Sequence, residues 1–183
     1  MSLPNNIILI GFMGSGKTST GKELSKLLGY NFWDMDQWIE GKIGKKVSKI
    51  FEENGEEYFR TQEAEAVNWL KNKKFLVIST GGGCWINQVN REKLKKIGWC
   101  VWLKISPEKA LERIGTHLSQ RPLLARSKKP LMEIKKIFSM RNPFYSLADV
   151  SFVTDDKRPK EIALEIIKAL QEDHPIDLPP MQK

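Results

Sequence analysis

The chain has 183 residues, of which 40% are hydrophobic and 28% charged, the balance of one soluble globular domain rather than of a disordered or fibrous chain. No apolar run approaches the ~20 residues of a membrane span, and Met1 to Phe12 has neither the basic n-region nor the cleavage site of a secretory signal, so a cytoplasmic protein without a membrane partner is expected. The net charge of +8 comes from lysines scattered through stretches such as "GKIGKK" and "REKLKK"; with no RNA-binding aromatic motif or zinc finger beside them, they read as solvated helix faces and a preference for small anions, not as a nucleic-acid surface. Cys84 and Cys100 form no CxxC and no zinc spacing with His117 and His174, as expected of free thiols in a reducing compartment.

Along the chain, apolar runs alternate with amphipathic stretches. "NIILIGF" (Asn6 to Phe12) reads as a buried strand, followed by a glycine-rich turn and a helix from Lys17 to Leu28. "YNFWD" is a short second strand, and helices follow over Val47 to Asn54 and Glu56 to Asn72. "FLVIST" (Phe75 to Thr80) is a third strand, again ending in glycines, and "WCVWLKI" (Trp99 to Ile105) a fourth. Pro107 then opens a helix to Ile114. After the polar, basic, aperiodic segment from Thr116 come a helix over Pro130 to Ser146, a fifth strand "DVSFVT", and a last helix from Pro159 to Leu170. The proline-rich tail 174–183 is expected to be loosely held, leaving residues 1–173 as a single domain. Such alternation predicts an α/β fold, a five-stranded parallel sheet with helices on both faces, whose ligands collect beyond the carboxyl ends of the strands.

Both glycine turns fall at those ends. "GFMGSGKT" (Gly11 to Thr18) fits G-x-x-x-x-G-K-[ST] between a strand and a helix, the context that the phosphate-binding loop requires. Gly11, Gly14 and Gly16 let the backbone curl so that N–H groups point at phosphate oxygens, and the helix N-terminus adds partial positive charge. Gly14, Ser15, Gly16, Lys17, Thr18 and Ser19 are therefore expected to hold ATP, Lys17 reaching the β- and γ-phosphates and Thr18 ligating Mg²⁺. There is no guanine-reading N-K-x-D, and the third strand ends in "VIST" without a carboxylate. The nearest acids are Asp34 and Asp36 in "FWDMD". As alternate residues of an extended segment they would share a side, one ordering Mg²⁺ and the other contacting the acceptor hydroxyl; Asp36 could equally cap the next helix. Arg60 by itself reads as a surface arginine. In "STGGGCW" (Ser79 to Trp85) three glycines leave only backbone for a ligand to approach.

Taken together, "GFMGSGKTSTG", "DMD", "GEEYFRTQE", "TGGG", "RPLL" and "RNPFY" resemble the shikimate kinase family in order and spacing, over about Asn6 to Leu170. Gluconate-type kinases share the loop but not the later constellation. The resemblance implies a three-layer P-loop kinase fold with a mobile lid at about 116–129. It implies an enzyme that transfers the γ-phosphoryl of ATP to the 3-hydroxyl of shikimate, giving shikimate 3-phosphate and ADP in aromatic amino-acid biosynthesis. Lys17, Asp36 and Arg121 would be catalytic: Asp36 contacting the ring hydroxyls, Arg121 neutralising the transferring phosphoryl group from the lid. Thr18 and Asp34 would serve Mg²⁺. Arg60, Gly81, Gly82, Gly83 and Arg141 would bind shikimate with Asp36, the two arginines on its carboxylate, and Glu63 would orient an arginine. Arg158 and Pro159 would lie against adenine. A monomer acting on small molecules is expected, the alternatives being a kinase for another small hydroxy acid or nucleotide and a nucleotide-binding module without turnover.

Overall fold

Short apolar strands and amphipathic helices assemble, in the computed structural model, into a five-stranded parallel sheet between two helical layers; the structure describes residues 4–115, 123–124 and 127–173. β1 (Asn6–Ile10) is buried at every position and lies centrally, paired with β3 (Leu76–Ser79) on one side and β4 (Trp99–Lys104) on the other. β2 (Asn31–Asp34) and β5 (Val150–Val153) are the edges, giving the order β2-β3-β1-β4-β5. Parallel neighbours need long crossovers, and helices supply them.

Successive strand side chains point to opposite faces, so β1 feeds two cores. Ile8 and Ile10 pack with α2 (Met35–Ile43), α3 (Val47–Trp69), α4 (Gln88–Ile97), α5 (Pro107–Ile114) and α6 (Pro130–Tyr145). Ile7 and Leu9 pack with α1 (Lys17–Leu28) and α7 (Pro159–Asp173) through Leu24, Ile162, Ile166 and Leu170. Each such fully buried aliphatic side chain contributes about 1.5–3 kcal/mol, enough to hold the strand ends in a fixed relation.

The differences from the sequence reading lie in the connections. The two helices expected either side of Gly55 form α3 with a kink at that residue (φ 81°, ψ 176°), and the last expected turn tightens to a 3₁₀ turn over Leu70–Asn72. No helix was expected between β3 and β4, yet α4 forms there, capped by the Asn87 side chain accepting from the Asn90 N–H. Its buried face is Asn90 and Leu94 alone, too thin a stripe to register as a period. The shared-strand reading of Asp34 and Asp36 is corrected as well. β2 ends at Asp34, whose carboxylate accepts from the Gln37 N–H at 3.2 Å and caps α2, while Asp36 sits in that helix's first turn. The capping role foreseen for Asp36 belongs to Asp34. Most of the expected lid, with Arg121, and the whole tail 174–183 lie outside the described residues. Among the described residues no helix is long and apolar enough to cross a membrane.

Candidate active site

Residues 11–16 join β1 to α1. Gly14 (φ 79°) and Gly16 (φ 87°) take left-handed conformations that a side chain would strain, and a Cβ on Gly14 would also press the Ala110 carbonyl oxygen at 3.3 Å. The Ser15 N–H donates to the Phe12 carbonyl at 3.2 Å, and its side chain is fully buried, so Ser15 serves the turn itself. Gly14, Gly16, Lys17, Thr18 and Ser19 line a cavity of about 990 Å³ at the carboxyl edge of the sheet. The Lys17 ammonium folds along the loop and donates to the Gly11 and Phe12 carbonyls, each at 2.9 Å.

The Thr18 hydroxyl donates to Asp34 Oδ2 at 2.9 Å and stands 3.5 Å from Ser79 Oγ. The parallel register sets Asp34 directly beside Ser79, so these three oxygens meet where β2 and β3 end. Ser79 was missed because a hydroxyl at a strand end carries no signal of its own. Hard oxygen donors of this kind suit Mg²⁺, which takes few protein ligands and completes its shell with phosphate and water. Among the described residues no group of three or more His, Cys, Asp or Glu is placed as metal ligands.

Arg158 and Pro159 also line the cavity, the former ion-paired to Glu161 at 2.7 Å and highly exposed, the latter opening α7. Arg113 lines it too, and nothing in the sequence pattern singled it out. It is the basic residue of the last turn of α5, beside the buried Ala110 and Ile114. Its guanidinium donates to the Asp155 carbonyl at 2.6 Å, to the Thr154 carbonyl and to Gly14 at 3.3 Å, tying the phosphate loop to the segment before α7.

The triple glycine after β3 proves to be a place of close approach by the protein's own side chains. None of Gly81, Gly82 and Gly83 has a positive φ. Instead, a Cβ on Gly81 would stand 3.2 Å from Asp36 Oδ1 and inside contact of Glu63 Oε1. One on Gly82 would meet Arg141 Nη1 at 3.5 Å, and one on Gly83 would collide with the Arg60 guanidinium. Gly81 and Gly83 thus make room for Glu63 and Arg60, while Gly82 leaves Arg141 at ordinary contact distance. Gly82 lines the cavity with Asp36, whereas the Cβ positions of Gly81 and Gly83 are taken by Glu63 and Arg60. Arg141 is joined to the cavity through Gly82, whose carbonyl accepts from Arg141 Nη1 at 3.1 Å and from the Tyr145 hydroxyl at 2.5 Å, and Arg60 lies against the next residue, Gly83. Trp85, fully buried, donates from Nε1 to the Phe144 carbonyl at 2.8 Å and locks the turn to the end of α6. Cys84 is buried and accepts from Asn90 at 3.8 Å, a space-filling role.

Arg60 donates to Glu63 Oε2 at 2.7 Å and, on its other edge, to Glu56 Oε1 at 2.5 Å. Burial works to lower the Arg60 guanidinium's pKa, but the Glu63 and Glu56 carboxylates outweigh it and leave it raised. Glu63 has a side chain only 1% exposed, and burial pushes its carboxyl up to about 7, opposed by Arg60 and Arg141 and reinforced by Asp36. Its Oε1 has no hydrogen-bond partner among the described residues. Chemically, the cavity offers a phosphate cradle, oxygen donors for a divalent cation and the Asp36 carboxylate, and behind the glycine turn that lines it stand the two guanidinium groups of Arg60 and Arg141.

Comparison with known proteins accords with this geometry. The shikimate kinase family model matches residues 13–171. The shikimate kinase of Moorella thermoacetica is 43% identical over 169 residues, covering 92% of this chain and 96% of that protein, and that of Persephonella marina is 43% identical over 162 residues, covering 88% and 96%. Among solved structures, shikimate kinase from Acinetobacter baumannii in complex with shikimate superposes with a TM-score of 0.90 at 37% identity, covering 94% of this chain and 96% of that one. A gluconokinase from Sinorhizobium meliloti, at 18% identity and a TM-score of 0.60, shares the fold alone.

Proposed function

Because the chain belongs to the shikimate kinase family, we propose that it transfers the γ-phosphoryl group of ATP to the 3-hydroxyl of shikimate, giving shikimate 3-phosphate and ADP. The observation that carries the substrate assignment is the meeting of Arg60 and Arg141 at one glycine turn, with Asp36 at the same turn. Guanidinium forks match a planar carboxylate, and each charged hydrogen bond contributes roughly 1.5–3 kcal/mol. A carboxylate held there leaves the ring of a small hydroxy acid facing Asp36 and Gly82.

Phosphoryl transfer needs placement and charge neutralisation more than covalent help. The N-terminus of α1 and Lys17 hold the β- and γ-phosphates. Thr18 and Asp34 would hold Mg²⁺, which would supply positive charge to neutralise the phosphates. Asp36 orients the acceptor hydroxyl and receives its proton as the oxygen attacks the γ-phosphorus and the bond to the β–γ bridging oxygen breaks. Arg121, outside the described residues, is assigned the transferring phosphoryl group on its motif alone, and Arg113, Arg158 and Pro159 the nucleoside end. The reading extends to a cytoplasmic monomer with small-molecule partners.

The test measures ADP release with Mg·ATP and each of shikimate, gluconate and a nucleoside monophosphate. Release with shikimate alone is expected. Release with either of the others in its place rejects the substrate assignment.

A further inference from the structure

The guanidinium groups assigned to the acceptor's carboxylate already serve a carboxylate of the protein. Glu63 Oε2 receives Arg60 Nη1 at 2.7 Å, Glu56 occupies the other edge of Arg60, and Glu63 is sealed from solvent. Glu63 Oε1 and Asp36 Oδ1 crowd the same position over Gly81. The groups facing Glu63 are Asp36 from α2, Arg60 and Glu56 on its own helix, Cys84 from the turn after the glycines, and Arg141 and Tyr145 from α6. An acceptor carboxylate entering between Arg60 and Arg141 would place a third buried anion, after Glu63 and Asp36, beside two cations. In a poorly solvated site that imbalance is costly, and the group able to relieve it is the one sealed from water, whose second oxygen has no hydrogen-bond partner among the described residues.

We propose that shikimate binding is coupled to the uptake of one proton by Glu63, so that the acceptor's carboxylate replaces the Glu63 charge as the counter-ion of the clamp. The proton comes from solvent or buffer and goes onto Glu63, so that the ligand's carboxylate takes over the charge of Glu63 on the arginines while Glu56 keeps the outer edge of Arg60. The neutral carboxyl gains an O–H donor for which the crowded oxygens over Gly81 supply an acceptor. Glu63 is then a positioning residue: it holds Arg60 in either state, while its proton sets how strongly the clamp attracts an anion. The carboxyl's starting value near 7 lets this occur around neutral pH.

The sign follows from linkage. Below about pH 6 free Glu63 already carries the proton, so binding takes up little. Above 7 it is ionised in the free protein, and binding takes up nearly one proton until the raised value of the complex is passed. The shikimate Kd is therefore expected to be flat below about pH 6 and to rise by up to tenfold per pH unit above about 7. An ordinary carboxylic acid titrates near 4, so the ligand stays ionised throughout this range.

This inference rests on the acceptor reading of the site, and the experiment separates the two. Calorimetric titration of the full-length protein with shikimate at pH 7.5, in buffers of different ionisation enthalpy, counts protons taken up on binding. An uptake of about three quarters of a proton in the wild type, abolished in Glu63→Gln with binding retained, is the expected result. Binding without uptake, or uptake that persists in Glu63→Gln, overturns the inference and leaves the acceptor reading standing; absence of binding overturns both. Should Glu63→Gln fail to fold, infrared difference spectra of the wild type decide the matter. With ¹³C-labelled glutamate, a label-shifted protonated-carboxyl band must appear on adding shikimate, and its absence rejects the proposal.

Discussion

At the phosphate end of the cavity, the contiguous run Gly11 to Thr18 supplies the glycine turns, the ammonium and the metal-side hydroxyl. At the acceptor end the groups are gathered from α2, α3, the turn after β3 and α6, and the charges of Asp36, Arg60, Glu63 and Arg141 face one another. The first end is built from one stretch of backbone whose glycine turns fix its shape. The second is a balanced set of side chains that a ligand must enter and rearrange. Damage at the first should therefore appear in turnover, and damage at the second in acceptor affinity.

The strongest test of this division is Lys17→Met. Without the ammonium, the charge developing on the β- and γ-phosphates loses a preorganised partner, so kcat should fall by about 10³-fold or more while circular dichroism stays unchanged. A fall below tenfold removes Lys17 from the reaction. Next comes Arg141→Ala, which removes one arm of the clamp and leaves Gly82's carbonyl to Tyr145. Losing charged hydrogen bonds of roughly 1.5–3 kcal/mol should raise the shikimate KM by 10- to 10²-fold, with the ATP KM within about twofold. The opposite pattern would assign Arg141 to the nucleotide.

Gly83→Ala probes the acceptor end indirectly. A Cβ there collides with the Arg60 guanidinium, which Glu56 and Glu63 hold on both edges and which cannot simply swing away. Overpacking of this kind costs about 1–3 kcal/mol. The shikimate KM should rise about tenfold with kcat nearly preserved, and a thermal melt should register the strain. An unchanged KM means that the triple glycine is not there to admit Arg60.

How far each end could be read from the sequence follows from the same contrast. The phosphate loop is legible because its chemistry is local: Gly14, Gly16, Lys17 and Thr18 do their work at fixed offsets between a strand and a helix. The strands are legible because parallel strands buried on both faces are almost wholly apolar, as Asn6–Ile10 and Trp99–Lys104 are. Arg60 is not legible from its neighbours, since an arginine on a helix rich in glutamates looks the same whether or not a glycine turn folds over it. The motif resemblance, not the local pattern, named it. Asp34 and Asp36 were read as strand partners because nothing marks where a four-residue strand yields to a helix; the Asp34 cap decides that. Ser79 and Arg113 carry no pattern, and the raised value of Glu63 depends on burial created by elements remote in the chain. Distance along the chain, more than chemical subtlety, separates what could be read from what could not.

The smallest expected effect is also the sharpest probe of how the acceptor end is held. Tyr145 is fully buried, with its ring 5.8 Å from Trp102 and its hydroxyl on the Gly82 carbonyl, so Tyr145→Phe removes one hydrogen bond and keeps the packing. Burial already holds that phenol up at about 12, so it donates at every working pH. Gly82 retains Arg141 as a donor, and no buried acceptor is left without a partner. The net loss should then be that of one neutral hydrogen bond, about 1 kcal/mol, seen as a drop in Tm of about 2–4 °C. Arg141, now sole donor to that carbonyl, is less available to an incoming carboxylate, so the shikimate KM should rise two- to threefold while kcat and the ATP KM stay put. If kcat falls instead, Tyr145 contributes to the reacting geometry itself, and the division between a turnover end and an affinity end fails at the residue where the two meet.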